Sequence, residues 1–254
     1  PVPDHRPHLV LANEQAGSTA RQNVALAVAR LAEHHPTRLR WTGSPEDFRQ
    51  AIADAGDEVQ LVVAGGDGSI HLTLDSVHQL GCTDRPIGII PLGTGNDFAR
   101  NHDLPLEPEA AADVVLRGRA RRVDAIELAH GDERELIANN LHVGLGVDAA
   151  HRAKGLKRGL GRLAYPVATA IEGAAGTCRR HRITVDGEVV WDEPLLAGLV
   201  LLGASMGGGV EMLEDADTGS VDVVAIGAIE PRERLGLVRD AVRSDIAAHP
   251  AARR

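Results

Sequence analysis

Two short glycine-rich stretches carry residue types that could handle a phosphate. The first is Gly65-Gly66-Asp67-Gly68-Ser69, entered from the apolar run Leu61-Val62-Val63-Ala64. The second is Pro91-Leu92-Gly93-Thr94-Gly95-Asn96-Asp97-Phe98-Ala99-Arg100, entered from Ile87-Gly88-Ile89-Ile90. Glycines let an anion approach the main chain closely, and the N–H groups that open a helix are unpaired and partly positive. The first stretch adds a hydroxyl and one carboxylate, and the second adds a hydroxyl and small polar groups. Phosphoryl transfer needs bound and neutralised phosphates, a metal, and a group that orients or deprotonates the acceptor hydroxyl. One such cluster also makes an ordinary turn, or a turn Asp capping its helix. Two of them after successive strand-like runs point to a binding site. No Gly-Lys-Ser/Thr follows the glycines, so this is not a P-loop, and the GxGxxG spacing of a dinucleotide site is absent.

The elements that must position these stretches can be read from the first half of the chain. His8 to Ala12, Arg38 to Trp41, Val59 to Ala64 and Pro86 to Ile90 read as strands, each followed by a turn and a helix-like segment. Ser44-Pro45-Glu46-Asp47 supplies an N-cap, a proline at the first helical position and acids in the first turn, for a helix running to about Asp54. Apolar residues at 70, 74 and 77 predict a helix from Ile70 to Leu80. Strands alternating with helices imply a parallel sheet covered on both faces, with ligands at the carboxyl ends of the strands. The turns after Ala12, Trp41, Ala64 and Ile90 all lie at such ends.

Beyond Arg117-Gly118-Arg119 the period changes. Arg122 to Ala129, Glu135 to Val143, Arg182 to Val185, Val189 to Trp191, Leu195 to Leu202 and Val221 to Ile226 read as strands, with Asp186-Gly187 as a hairpin turn. The expected fold is therefore an α/β domain with a parallel sheet and Gly-rich phosphate loops over residues 1–119. A mainly antiparallel β-sandwich domain follows over 120–254, with a helical insert at 149–176 and a C-terminal amphipathic helix from Arg232 to Ala248.

Composition narrows the function classes. At 254 residues with a hydrophobic fraction of 43%, the chain can bury a core without staples. Two distant cysteines, Cys82 and Cys178, form no ligand pattern, and a reducing, cytoplasmic setting is the expectation. No apolar stretch approaches the roughly 20 residues of a membrane span, and residues 1–6 lack the core of a signal peptide. A net charge of -9 with one Tyr and two Phe argues against nucleic-acid binding. Charge is unevenly spread: eight Lys/Arg lie between His151 and Arg182 against one acid, Glu172. That segment is either a solvated face or a surface for phosphate or anionic lipid.

Taken together, the paired motifs strongly resemble the diacylglycerol kinase catalytic-domain family, which includes bacterial lipid kinases and sphingosine kinases. The resemblance extends to Asn13 through Gly17, Gly144 through Ala149, Gly207-Gly208-Gly209, Asp215-Ala216-Asp217 and Val221-Asp222-Val223, so it covers roughly residues 8 to 227. It implies an ATP-dependent lipid kinase that moves the γ-phosphoryl group to a lipid hydroxyl of diacylglycerol type. It places nucleotide contacts on Asn13, Glu14, Gln15, Ala16, Gly17, Thr42, Gly65, Gly66, Gly68, Ser69, Thr94 and Asn96. For Asn96, capping the next helix is the alternative role. Asp67 is implied as the catalytic carboxylate and the Mg²⁺ ligand. The lipid acceptor implies peripheral contact with an anionic inner-membrane surface, helped by the basic residues from His151 to Arg162. A homodimer is compatible with the sequence but is not read from it.

Departures from the family pattern favour an alternative, a catalytically impaired nucleotide- or lipid-binding regulator of the same fold. Glu14 stands where the family has Pro, and Leu72 and Leu202 stand where many members have Glu and Asn. Family members usually continue into further strands with an Asp-Gly-Glu-type turn, to which a catalytic base has been assigned, whereas this sequence stops at Arg254. Asp186-Gly187-Glu188 occupies an earlier hairpin and does not inherit that role.

Overall fold

The fold was analysed in a computed structural model that describes residues 6–160, 167–168, 171–172, 178–203, 205–206, 210–211, 220–230 and 252–253. Contacts divide the chain into two compact units, Pro1–Asn139 with Ser205–Gly209, and Asn140–Ala204 with Val210–Arg254.

The first unit opens with β1 (His8–Asn13), α1 (Ser18–Ala32), β2 (Thr37–Thr42), α2 (Pro45–Asp54), β3 (Gln60–Gly65), α3 (Asp67–Gln79) and β4 (Ile87–Pro91). The strands form one parallel sheet in the order β2-β1-β3-β4. Alternation along each strand sorts its side chains to two faces. Val10, Ala12, Val62, Ala64 and Ile90 pack under Val24, Ala27 and Leu31 of α1 and under Ala111 and Ala112 of α5 (Pro108–Leu116). Leu11, Leu61 and Val63 face the other way, against Phe48, Ala51 and Ile52 of α2 and Val77 of α3. β3, central and buried along most of its length, needs the unbroken apolar run that the sequence shows. β2, at the edge, is half-buried and tolerates Arg38 and Arg40.

Local signals account for the helix ends. Ser44 accepts a hydrogen bond from the Asp47 N–H at 3.1 Å, with Pro45 at the first helical position. α3 begins at Asp67, earlier than the Ile70 start read from apolar spacing, because Gly66 is its N-cap and Asp67 to Ser69 are its first turn. The short α4 (Asp97–Asn101) follows β4. A ribbon of β5 (Ile126–His130) and β6 (Glu133–Ile137) completes this unit. The unit runs to Asn139 rather than ending at residue 119, since β6 lies along α3 and Ala138 is buried with Ile70 and Phe98.

In the second unit β7 (Asn140–Gly144) leads into α6 (Leu145–Leu160), followed by β8 (Arg179–Val185) and β9 (Glu188–Leu201). β11 (Val210–Glu211), β12 (Asp222–Gly227) and β13 (Ala252–Arg253) are its remaining described strands, while β10 (Ser205–Met206) falls in the first unit. β7, β9, β12 and β13 form an antiparallel sheet in the order β13-β12-β9-β7, with β8 paired to the first half of β9. Among the described residues this sheet has five strands, and the expected antiparallel character of the domain holds. Two expectations are corrected. β9 is one 14-residue strand that passes through Pro194, where two strands were expected. The run from Glu135 to Val143 is broken at Ala138-Asn139 instead of continuing as one strand. The C-terminal helix lies outside the described residues, as do residues 161–166, 169–170 and 173–176 of the insert, whose beginning α6 covers.

Candidate functional site

The carboxyl ends of all four parallel strands bear the predicted turns. At two of them the main chain comes into direct contact. Gly65 O accepts from the Leu92 N–H at 2.8 Å. A Cβ on Gly66 would lie 2.7 Å from the Gly93 Cα, and one on Gly93 would lie 2.6 Å from the Gly66 Cα. Both positions must therefore be glycine for the two turns to pass each other. At Gly65 a Cβ would meet Ser69 Oγ at 2.3 Å, because the Ser69 side chain folds back over that residue. Gly68 differs: no atom lies within 4 Å of where its Cβ would stand, so it leaves open space beside the first turn of α3.

Asp67 sits in that first turn, where the helix dipole favours a carboxylate. Its Oδ1 accepts two hydrogen bonds, from the Phe98 N–H at 2.9 Å and from Asn139 Nδ2 at 3.2 Å. Asp67 thus caps α4 rather than its own helix. The residue in the N-cap position of α4, Asn96, has left-handed backbone (φ 53°, ψ 40°) and turns its amide away. Its Oδ1 accepts from the Gly93 N–H at 2.7 Å and its Nδ2 donates to Gly93 O at 3.1 Å. The Asn96 side chain is committed to shaping the loop, and at 7% exposure it offers little to a ligand.

The other two turns share one backbone bond and are otherwise held by side chains. Asn13 Oδ1 accepts from the Gln15 N–H at 2.8 Å, and the Glu14 N–H donates to Thr42 O at 3.1 Å. Arg21, from the first turn of α1, donates to the carbonyls of Glu14 and Ala16 while its guanidinium stacks 4.6 Å above the Trp41 ring. The Glu14 carboxylate lies against Gly43 on the neighbouring turn. Gly43 donates to Asp47 Oδ2 at 3.0 Å, and Arg40 pairs with Asp47 Oδ1 at 2.7 Å. Together these partners, Arg40 foremost, hold the Asp47 carboxyl below the usual carboxylate range. Thr42 spends its hydroxyl on Ala12 O at 3.2 Å.

Between these turns opens a cleft of about 190 Å³. Asn13, Gln15, Thr42 and Ser69 line its polar side, and Leu11, Phe48 and Leu72 its apolar floor. Of the residues expected to touch nucleotide, the cleft brings together Asn13, Gln15, Thr42 and Ser69. Gly65, Gly66 and Gly93 form the adjoining backbone crossing, while Thr94 is exposed outside the cleft wall. Arg21 and Asn139 were not singled out from sequence. A basic residue in the first turn of a helix opposes the dipole, and that unfavourable placement is the signal Arg21 offers. Asn139 offers none, since its partner is 72 positions away.

Among the described residues no three His, Cys, Asp or Glu side chains converge to form a metal cage, and no helix is long and apolar enough to cross a membrane. A single carboxylate with phosphates and waters is the donor set that Mg²⁺ accepts. The residues present fit such an ion: Asp67 has one oxygen engaged, and open space lies beside it at Gly68.

Comparison with known proteins finds similar chains. The diacylglycerol kinase catalytic domain family matches residues 7–128. A Pseudomonas aeruginosa PAO1 protein named "Probable lipid kinase YegS-like" is 30% identical over 220 residues, covering 85% of this chain and 70% of that protein. A Mycobacterium tuberculosis diacylglycerol kinase is 33% identical over 185 residues, and the match spans 57% of its length. A crystal structure from Bacillus anthracis str. Sterne, assigned as a diacylglycerol kinase, superposes with a TM-score of 0.74 at 22% identity, covering 98% of this chain and 83% of that one. At that identity the likeness is one of fold. With two glycine turns crossing beside Asp67 and relatives matched at this level, the chain belongs to the diacylglycerol kinase catalytic-domain family.

Proposed function

We propose that the protein is an ATP-dependent lipid kinase: the γ-phosphoryl group moves to a lipid hydroxyl, leaving ADP and a phosphorylated lipid and releasing the hydroxyl proton. The observation that carries this reading is the crossing of Gly66 and Gly93 beside the first turn of α3, with Asp67 tied through one oxygen only. Backbone N–H groups of that turn, unobstructed at Gly68, would receive nucleotide phosphates. Asn13, Gln15 and Ser69 would orient the nucleotide along the cleft, with Leu11, Phe48 and Leu72 excluding water on its apolar side. Bound Mg²⁺ would supply neutralisation of the phosphate charge, and Asp67 would be its protein ligand. Asp67 would also stand close to the incoming hydroxyl and hold its proton by hydrogen bonding. Glu14 departs from the family pattern, but its carboxylate rests against Gly43, and this supports a nucleotide being accommodated despite the added charge. The family supports a lipid acceptor of diacylglycerol type, and the reaction would occur at an anionic inner-membrane surface by peripheral contact.

Incubation of the purified protein with labelled ATP, Mg²⁺ and a mixed lipid extract should give a labelled phospholipid, and Asp67→Ala should abolish it. Absence of product from every lipid class overturns the kinase reading.

A further inference from the structure

A carboxylate held at one oxygen by one donor can still swivel about its Cβ–Cγ bond. Asp67 is held differently. Its Oδ1 receives two donors from separate parts of the chain, the Phe98 N–H of α4 at 2.9 Å and the Asn139 amide at 3.2 Å. Because an ionised carboxylate only accepts, the Asn139 group that faces it must be the NH₂. Oδ2 makes no hydrogen bond to any described residue. Asn139 is itself delivered by a rigid arm. β6 lies along α3, His71 of α3 meets Glu135 of β6 at 2.9 Å, and Ala138 is buried against Ile70 and Phe98. The arm and the carboxylate are thus anchored to the same helix, one turn apart. This also explains why the strand-like run from Glu135 to Val143 breaks at Ala138-Asn139.

We infer that Asn139 is a positioning residue: it locks the Asp67 carboxylate in one rotamer and leaves Oδ2 as the single oxygen presented to a ligand. The inference rests on the kinase reading for the nature of that ligand, a magnesium-bound nucleotide. Mg²⁺ demands near-ideal geometry and is commonly held through one or two carboxylates, so a fixed single oxygen suits it. Removing partners that orient a metal ligand typically lowers metal affinity or activity about 10- to 100-fold.

The test uses the full chain and three variants: Asn139→Leu, Asn139→Asp, and the exchanged pair Asp67→Asn with Asn139→Asp. Calorimetry with ATP should show that Asn139→Leu raises the Mg²⁺ concentration needed for half-maximal nucleotide binding by about tenfold. Turnover should fall similarly, with the lipid KM within about twofold of the parent, because Asn139 acts through the Asp67 carboxylate. Asn139→Asp replaces the amide donor to Oδ1 by a second acceptor, so the bond is lost and the melting temperature should fall below the parent. The exchanged pair restores donor and acceptor, so its melting temperature should recover, whereas Mg²⁺-dependent nucleotide binding should not. A merely structural role for Asn139 would lower the melting temperature of Asn139→Leu while leaving its Mg²⁺ dependence parent-like. Parent-like Mg²⁺ dependence in Asn139→Leu, or a parent-like melting temperature in Asn139→Asp, overturns the inference, as does a parent protein that shows no metal-dependent nucleotide binding. A parent that binds magnesium nucleotide without turning over sinks the kinase reading alone, and Asn139 is then decided by calorimetry and melting.

Discussion

The four turns at the top of the parallel sheet are built in two different ways. The pair after β3 and β4 is a backbone construction: Gly66 and Gly93 pass with no room for a Cβ, and Asn96 is spent entirely on Gly93. The pair after β1 and β2 shares one backbone bond, Glu14 N–H to Thr42 O, but has no glycine crossing and is otherwise held by side chains, those of Arg21, Trp41, Glu14 and Asp47. Backbone contact fixes position to a fraction of an ångström and tolerates no substitution. Side-chain ties are weaker, screened by solvent, and can be exchanged. Within one sheet edge, the side nearest Asp67 is rigid and the side farther away is adjustable.

The contrast would break first at its rigid side. Gly66→Ala or Gly93→Ala must push main chain against main chain, which should cost about 1–3 kcal/mol and lower the melting temperature by roughly 3–10 °C, with nucleotide binding lost. Thermal unfolding and calorimetry check both. Gly68→Ala sharpens the point. Its Cβ meets nothing, so the helix should gain about 0.5–1 kcal/mol while nucleotide affinity falls. A variant that is more stable yet binds less would separate occupancy of the open space from damage to the fold.

On the adjustable side, Arg21→Ala should cost about 0.5–1 kcal/mol, the worth of an exposed cation–π contact, and weaken nucleotide binding only a few-fold. Arg21→Lys should not fully rescue it, because a lysine cannot fork between two carbonyls. The smallest effect expected is on pH. Asp47 has a folded-state pKa below its unfolded value, so its contribution is present above about pH 4 and is lost as pH falls through the folded value. Exchange of the Gly43 amide hydrogen should quicken in that acid range, and Asp47→Asn should remove the pH dependence.

How much of this was legible beforehand follows the same divide. The continuous apolar run of β3 and the glycines at its end could be read locally, and so could the cap at Ser44-Pro45, because each signal lies within a few residues. Asp67 capping α4 could not be read, since the bond joins positions 31 apart, and the Asn139 contact spans 72. The start of α3 was placed late because Gly-Asp-Gly-Ser resembles a turn. Only the Gly66 cap shows it to be helical from Asp67 onward. In the second unit, two strands were expected, one on either side of Pro194, Val189 to Trp191 and Leu195 to Leu202. Instead β9 continues through Pro194, opposite Arg180, and the proline carbonyl accepts from the Ala228 N–H at 3.2 Å.

The two tryptophans give the molecule a built-in pair of optical reporters. Trp41 lies beneath a guanidinium in the first compact unit, while Trp191 in the second is 3% exposed and donates its indole N–H to Glu193 O at 3.0 Å. A solvent-shielded indole emits toward the blue, and one that loses its cover on unfolding shifts to the red. Trp41→Phe and Trp191→Phe would each leave a single emitter. Comparing their denaturation curves would tell whether the two units melt as one cooperative body or in sequence.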